Sequence, residues 1–231
     1  MVKTIFVVGC SFSHHDVYVK PNETWPFLLQ NDLDCRIINC AVPGNSNLSY
    51  FYRLKEVEEQ FGKPDKVIVQ LTGLQRIFLH MKNVPICDLV KHKKNNYYYD
   101  KYDLHCREAG VSMTPAVVTD NSVLGLIKLN YNINPKFLHA YWKYFASDDN
   151  LEWLNLKECM LIDMYFKDTV FFTWQHKFEW LSKYVNNYLG DLKYDILGEN
   201  GFKKYSHIPL KDEHFNAAGH IAVKEFIKQH V

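Results

Sequence analysis

The 231-residue sequence has almost no excess charge, since 27 Lys and Arg face 26 Asp and Glu for a formal net charge of +1. A chain so balanced has no global field to draw it to a nucleic-acid backbone or an anionic membrane surface. Long apolar runs are also missing, and none approaches the length needed to cross a bilayer. Val7-Val8-Gly9-Cys10 superficially resembles a lipoprotein cleavage site, but the apolar segment before it is too short for a signal-peptide core. The expectation is a cytoplasmic protein. The six cysteines form no C-x-x-C pair and have no regular spacing. They read as small buried hydrophobes of a reducing compartment, although an even count leaves disulfides open. No H-E-x-x-H or comparable spacing accompanies the histidines, so neither a metal nor an organic cofactor is expected. Repeats and low-complexity linkers are absent as well.

What is present is an ordinary globular composition, 47% hydrophobic and 23% charged, with 15% aromatics. That balance argues against disorder, and the length suits one domain with a substantial core. Ile5-Phe6-Val7-Val8 reads as a buried strand closed by Gly9. Trp25 to Leu29 begins a short helix, with Thr24 as N-cap and Pro26 in its first turn. Residues 35–42 form a second apolar run, broken by Pro43-Gly44-Asn45. Asn47 caps a helix that ends at Gly62-Lys63-Pro64, and Lys66 to Leu71 is a third strand. Strand and helix alternating in this way predict a parallel sheet covered by helices, a three-layer α/β/α sandwich.

Farther on the pattern loosens, and residues 77–150 read as an insertion or a set of long loops within a single domain spanning 1–231. Leu151 to Phe166 is expected to be helical, with Leu151, Leu154, Leu161, Ile162 and Tyr165 on one side. Thr169 to Trp174 is a fourth strand. Phe178 to Leu189 reads as an amphipathic helix ended by Gly190, Ile208-Pro209-Leu210 as an edge strand, and residues 217–230 as the closing helix.

Two stretches carry candidate chemistry. Ser11 lies just past the first strand, where open α/β sheets place their reactive groups. Asp212 and His214 precede the last helix. A serine hydroxyl needs a base to become a useful nucleophile, and a carboxylate beside that base fixes its tautomer and stabilises the imidazolium. Each stretch also has an ordinary reading, with Ser11 a turn residue and Asp212 or Asn216 a helix cap. Cys10 alternates away from Ser11 and is assigned to the core. His14 and His15 are placed at the pocket mouth or in solvent, and His220 on the last helix.

Taken together, Gly9-Cys10-Ser11-Phe12-Ser13, Val42-Pro43-Gly44-Asn45-Ser46-Asn47 and Asp212-Glu213-His214 resemble three blocks of the SGNH/GDSL hydrolase family, in the family's order. The resemblance implies a flavodoxin-like sheet order and a serine esterase or acyl hydrolase. Ser11 would be the nucleophile, His214 the base and Asp212 its partner. The backbone N–H groups of Ser11 and Gly44 would form the oxyanion hole. The family's third block normally reads G-x-N-D, with the asparagine as an oxyanion donor. Here the third strand runs into Gln70-Leu71-Thr72-Gly73-Leu74-Gln75-Arg76, so Thr72 is the substitute donor, with Gln70, Gln75 or Arg76 as alternatives. A donor of this kind is worth ~3 kcal/mol of barrier.

His14, Asn47 and Arg76 are the candidate substrate-binding residues. Lys91-His92-Lys93-Lys94, followed by Tyr97, Tyr98, Tyr99 and Tyr102, combines basic and aromatic groups as single-strand nucleic-acid sites do. The interleaved Asp100 and Asp103 and the neutral total charge argue against that partner. A solvated loop, or tyrosines shaping a pocket for a small-molecule or carbohydrate ester, fits better. An O-acyltransferase and a degenerate binding or structural protein on the same scaffold are the alternatives to a hydrolase.

Overall fold

Strand β1 (Thr4–Val8) buries both its faces. Ile5 and Val7 point into one apolar cluster while Phe6 and Val8 point into another, as the two-residue period of a strand requires. A strand with no polar face can only be central, and β1 has β2 (Arg36–Asn39) on one side and β3 (Lys66–Leu71) on the other, both parallel. The computed structural model describes residues 3–15, 19–43, 45–74, 89–93, 96–100, 147–174, 178–208 and 212–231. For Asp148, Glu199, Phe202, His207, Ile208, Asp212 and Glu213 it describes the backbone alone.

Seven strands form the main sheet in the order β4-β5-β2-β1-β3-β6-β7. The further strands are β4 (Leu89–Lys91), β5 (Tyr98–Asp100), β6 (Thr169–Thr173) and β7 (Tyr188–Asp191). A parallel sheet was expected, and five of the six pairings are parallel. The sixth is not: β4 runs antiparallel to β5. Only residues 92–97 connect them, which is a hairpin and too short for a crossover.

Helices α1 (Trp25–Leu33) and α5 (Ala217–Lys228) cover one face, packing Trp25, Leu29, Val223 and Ile227 on Ile5, Val7, Ile37 and Ile68. The other face carries α2 (Tyr50–Phe61) and α3 (Asp148–Tyr165), whose Leu54, Val57, Cys159 and Ile162 meet Phe6, Val8, Val67 and Val69. Each fully buried aliphatic side chain contributes roughly 1.5–3 kcal/mol, so these two layers dominate stability. The result is an α/β sandwich with a mixed central sheet. Cys10, Cys35, Cys40 and Cys159 are buried free thiols, and Cys87 and Cys106 lie outside the described residues. No described helix is long and apolar enough to cross a membrane.

Several local expectations are corrected. Residues 178–189 are not a helix but a 3-10 turn (Leu181–Lys183) followed by β7. Phe178, Leu181 and Val185 are all buried, and their spacing of three and four imitates a helical stripe. Gly190 has φ +99 and lies within β7, where the register against β6 shifts, rather than at the end of a helix. The helix expected at 151–166 is present, but Leu161 and Tyr165 face outward, at 43% and 40% exposure.

Thr24 makes no side-chain cap; its hydroxyl donates to the Pro21 carbonyl. The N–H of Trp25 is instead satisfied by Nδ1 of His220 on α5, at 3.1 Å. Ser46, not Asn47, accepts the capping bond ahead of α2, from Leu48 N–H. Ile208 ends β8 (Ser206–Ile208), which pairs antiparallel with β9 (Asp212–Phe215) in a separate two-stranded sheet. Residues 209–210 of the expected edge strand lie outside the described residues, as does most of the proposed insertion, at 77–88, 94–95 and 101–146.

Candidate active site

After β1 the chain makes a 3-10 turn, Ser11–Ser13, at the carboxyl end of the sheet. From the other end of the chain, β9 delivers His214, with α4 (Gly198–Tyr205) and β8 preceding it and α5 following. Asn216 caps α5 by accepting the N–H of Gly219 at 2.9 Å. A Cβ on Gly219 would come within 2.9 Å of the Tyr205 carbonyl, so glycine lets the start of α5 seat closely beneath β9.

These elements bring His214 Nε2 to 2.7 Å from Ser11 Oγ. With the imidazole proton on Nδ1, Nε2 accepts the serine hydroxyl hydrogen, which is the arrangement for proton removal. Both residues are half-buried and therefore reachable from solvent. Phe12 stacks on the His214 ring at 4.9 Å and 15°, and on the indole of Trp174, just after β6, at 4.1 Å and 20°. Aromatic contacts of this kind restrict ring rotation beside the serine.

The turn itself is gripped by three elements. Gln70 Oε1, from β3, accepts Cys10 N–H at 3.0 Å and the Ser13 hydroxyl at 3.3 Å. Trp25 Nε1–H, from α1, donates to the Phe12 carbonyl at 3.1 Å and to Ser13 Oγ at 3.2 Å. Asn39 Nδ2–H, at the end of β2, donates to the Ser13 carbonyl at 2.7 Å. Sequence reasoning passed over Trp25 and Asn39 in this role and treated Gln70 only as a substitute donor. The available signal was a polar residue at the end of each apolar strand or helix start.

Thr72 follows β3 and is fully buried. Its N–H donates to Asn47 Oδ1 at 2.8 Å, while its Oγ1 has no hydrogen-bond partner among the described residues. Asn47, expected as a substrate contact, is engaged within the fold. Its amide also donates to the Thr72 carbonyl and to Asn155 Oδ1, so it is a buried brace between β3 and α3. His14, also expected at the substrate, is 1% exposed, with Nδ1 2.6 Å from the His15 carbonyl and Nε2 2.8 Å from the Asp100 carbonyl. Gly44 and Arg76 lie outside the described residues, as does the Asp212 side chain.

His220 lies close enough to His214 to feel its charge. Burial first, then that charge, push its imidazole down to about 3, so it stays neutral and accepts from Trp25. Cys10 is fully buried with its thiol toward Gln70, in keeping with a core position. Among the described residues, no group of three or more His, Cys, Asp or Glu side chains is arranged to hold a metal ion.

In the tyrosine cluster, Tyr97 is buried and Tyr98 and Tyr99 are half-buried, and Tyr102 lies outside the described residues. Tyr97 is 1% exposed, and its hydroxyl accepts from Asn39 Nδ2. Asp100 pairs with buried Arg53 at 2.5 Å. These groups fasten the β4–β5 edge to the sheet, which replaces the reading of a solvated or pocket-lining loop for Tyr97.

No protein-family model matches the chain, and the search of curated proteins returned no match. Solved structures do match. A psychrotrophic esterase, EstA, from Pseudoalteromonas sp. superposes with a TM-score of 0.53 at 13% identity, covering 99% of this chain and 96% of that one. A protein assigned to the G-D-S-L lipolytic family from Desulfitobacterium hafniense gives 0.54 at 8% identity, covering 99% of each chain. The acetyl xylan esterase Axe2 from Geobacillus stearothermophilus gives 0.50 at 12% identity, covering 99% and 94%. At these identities the likeness is one of fold: the chain shares the α/β sandwich of these proteins.

Proposed function

We propose that this protein is a serine hydrolase of the SGNH/GDSL type, with a flavodoxin-like sheet order, that cleaves an ester through an acyl-enzyme. The observation that carries the reading is the 2.7 Å contact between Ser11 Oγ and His214 Nε2. Ser11 attacks the ester carbonyl while His214 takes its proton, and Asp212 orients the imidazole. The alkoxide leaves with the proton returned by His214. Water, deprotonated by the same nitrogen, then attacks the acyl-serine and releases the acid and free Ser11.

The oxyanion is assigned to the backbone N–H groups of Ser11 and Gly44 and to the Thr72 hydroxyl. A buried hydroxyl without a partner costs stability in the resting protein, so a ligand oxygen that pairs with it would repay that cost in the complex. The substrate class is a small acyl or O-acetyl ester, a carbohydrate ester included, as the name of the Geobacillus protein suggests for that relative in fold.

A second reading, a non-catalytic binding protein on this scaffold, draws on the missing third-block asparagine. The amide of Gln70 is engaged within the fold, with Nε2 donating to the Leu71 carbonyl at 2.7 Å. Labelling with a fluorophosphonate probe, followed by mapping of the modified residue, separates the two. Modification at Ser11 that is lost in His214→Ala supports the hydrolase. A protein unlabelled at Ser11, or labelled equally in His214→Ala, overturns it.

A further inference from the structure

Glutamine is an odd residue for the end of a strand buried along its whole length, as β3 is. Gln70 is fully buried, and each of its polar side-chain atoms is used. Nε2 donates to the Leu71 carbonyl at 2.7 Å. Oε1 receives Cys10 N–H at 3.0 Å, the Ser13 hydroxyl at 3.3 Å and, more weakly, the Cys10 thiol at 3.3 Å. Its main-chain carbonyl accepts the Tyr50 hydroxyl at 3.0 Å, which ties the residue to α2.

The two principal donors to Oε1 bracket Ser11: the backbone N–H one residue before it and the hydroxyl two residues after it. Gly9 makes the approach possible, since a Cβ there would lie 2.9 Å from Gln70 Oε1 and 3.0 Å from Ser13 Oγ. Because β3 is hydrogen-bonded to β1 along four residue pairs, Gln70 grips the turn from a rigid support.

We propose that Gln70 is a positioning residue, whose side-chain oxygen holds the Ser11 turn in register with His214. The inference rests on the ester-hydrolase reading and adds to it a residue that never touches substrate. Removing the acceptor leaves Cys10 N–H buried without a partner and frees the turn to shift. A displacement of about 1 Å in a reacting group can lower a rate on the order of a hundredfold.

The test compares Gln70→Met, which keeps volume but removes the acceptor, with Gln70→Glu, which restores acceptor oxygens at the same reach. Ser13→Ala removes one donor while leaving Gln70 intact, so it remains informative if Gln70→Met fails to fold. Three quantities are read on folded protein: the rate of Ser11 modification by a fluorophosphonate, kcat and KM for a short-chain nitrophenyl ester, and hydrogen exchange at the Cys10 amide.

In Gln70→Met, labelling and kcat should fall about 10- to 100-fold with KM within about twofold, and Cys10 should exchange faster than global unfolding allows. Gln70→Glu should recover part of the rate, and Ser13→Ala should lose a smaller part. Wild-type labelling and kcat in Gln70→Met overturn the proposal, as does a Gln70→Glu variant no faster than Gln70→Met. If wild-type protein is not labelled at Ser11, the hydrolase reading falls and takes the catalytic role of Gln70 with it. The grip itself is then still read at Cys10, where faster exchange in Gln70→Met upholds it and unchanged protection refutes it.

Discussion

Ser11 Oγ and His214 Nε2 lie 2.7 Å apart although 203 residues separate them along the chain. Neither residue reaches the other through local structure. The first is set by the end of β1, the second by β9, and the stacked Phe12 ring joins the two.

A pair that acts as one unit should respond to mutation as one unit. Ser11→Ala and His214→Ala are each expected to lower kcat by a factor on the order of a thousand or more. The double variant should be no worse than the slower single one, because a base without its nucleophile has nothing to deprotonate. Hydrolysis of a nitrophenyl ester by the three variants checks this, and multiplicative losses would show that the two residues act independently.

Thr72 gives a prediction in which stability and activity move in opposite directions. Its buried Oγ1 has no partner among the described residues, so Thr72→Val removes an unsatisfied group at nearly constant volume. Stability should be unchanged or raised by about 1 kcal/mol. As an oxyanion donor, the lost hydroxyl should lower kcat on the order of a hundredfold with KM little altered. Thermal unfolding and steady-state kinetics on one preparation decide it. A stable variant with full kcat would remove Thr72 from the oxyanion hole.

Gly9 should tolerate no side chain. A Cβ there meets Gln70 Oε1 at 2.9 Å and Gln70 Cβ at 3.0 Å, inside the packed junction of β1 and β3. Gly9→Ala is therefore expected to cost roughly 1–3 kcal/mol, as overpacking does, and to slow labelling of Ser11. Denaturant unfolding measures the first effect and probe kinetics the second.

Stability against pH should carry two opposing slopes. Burial, and then the His214 charge, push His220 down to about 3 from 6.5. Between those values the unfolded chain binds a proton that the folded protein refuses, so stability is lost as pH falls from 6.5 toward 3. Glu158 on α3 behaves the other way: burial pushes it up to about 7 from 4.5, against the lowering effect of its bond from Phe51 N–H. There the folded protein keeps a proton that the unfolded chain releases, so stability falls as pH rises from 4.5 to 7. His220→Asn should flatten the acid limb and Glu158→Gln the neutral one, each slope being about 1.4 kcal/mol per pH unit at most. Unfolding free energies measured from pH 4 to 8 test both signs.

Much of this could be read from the chain without its structure. Ile5 to Val8 and Val67 to Val69 are too uniformly apolar to be anything but interior strands, and the apolar stripe at 151–162 has a helix's spacing. Ser11 and His214 stood out because a hydroxyl after a first strand and a histidine before a last helix are local patterns. Periodicity misled at Phe178, Leu181 and Val185, whose burial arises from a 3-10 turn and the residues flanking it packing on the core.

The sequence by itself determined which segments are interior and which side chains can do chemistry, because both depend on neighbours a few residues away. Only the tertiary structure decided what those side chains meet. Gln70 under the serine turn, His220 capping α1, Asn47 bracing Thr72 and His14 turned to the Asp100 carbonyl are contacts across 25 to 195 residues. Such contacts carry no local spacing, since a buried polar atom takes whichever partner the packing of distant elements brings within hydrogen-bond reach.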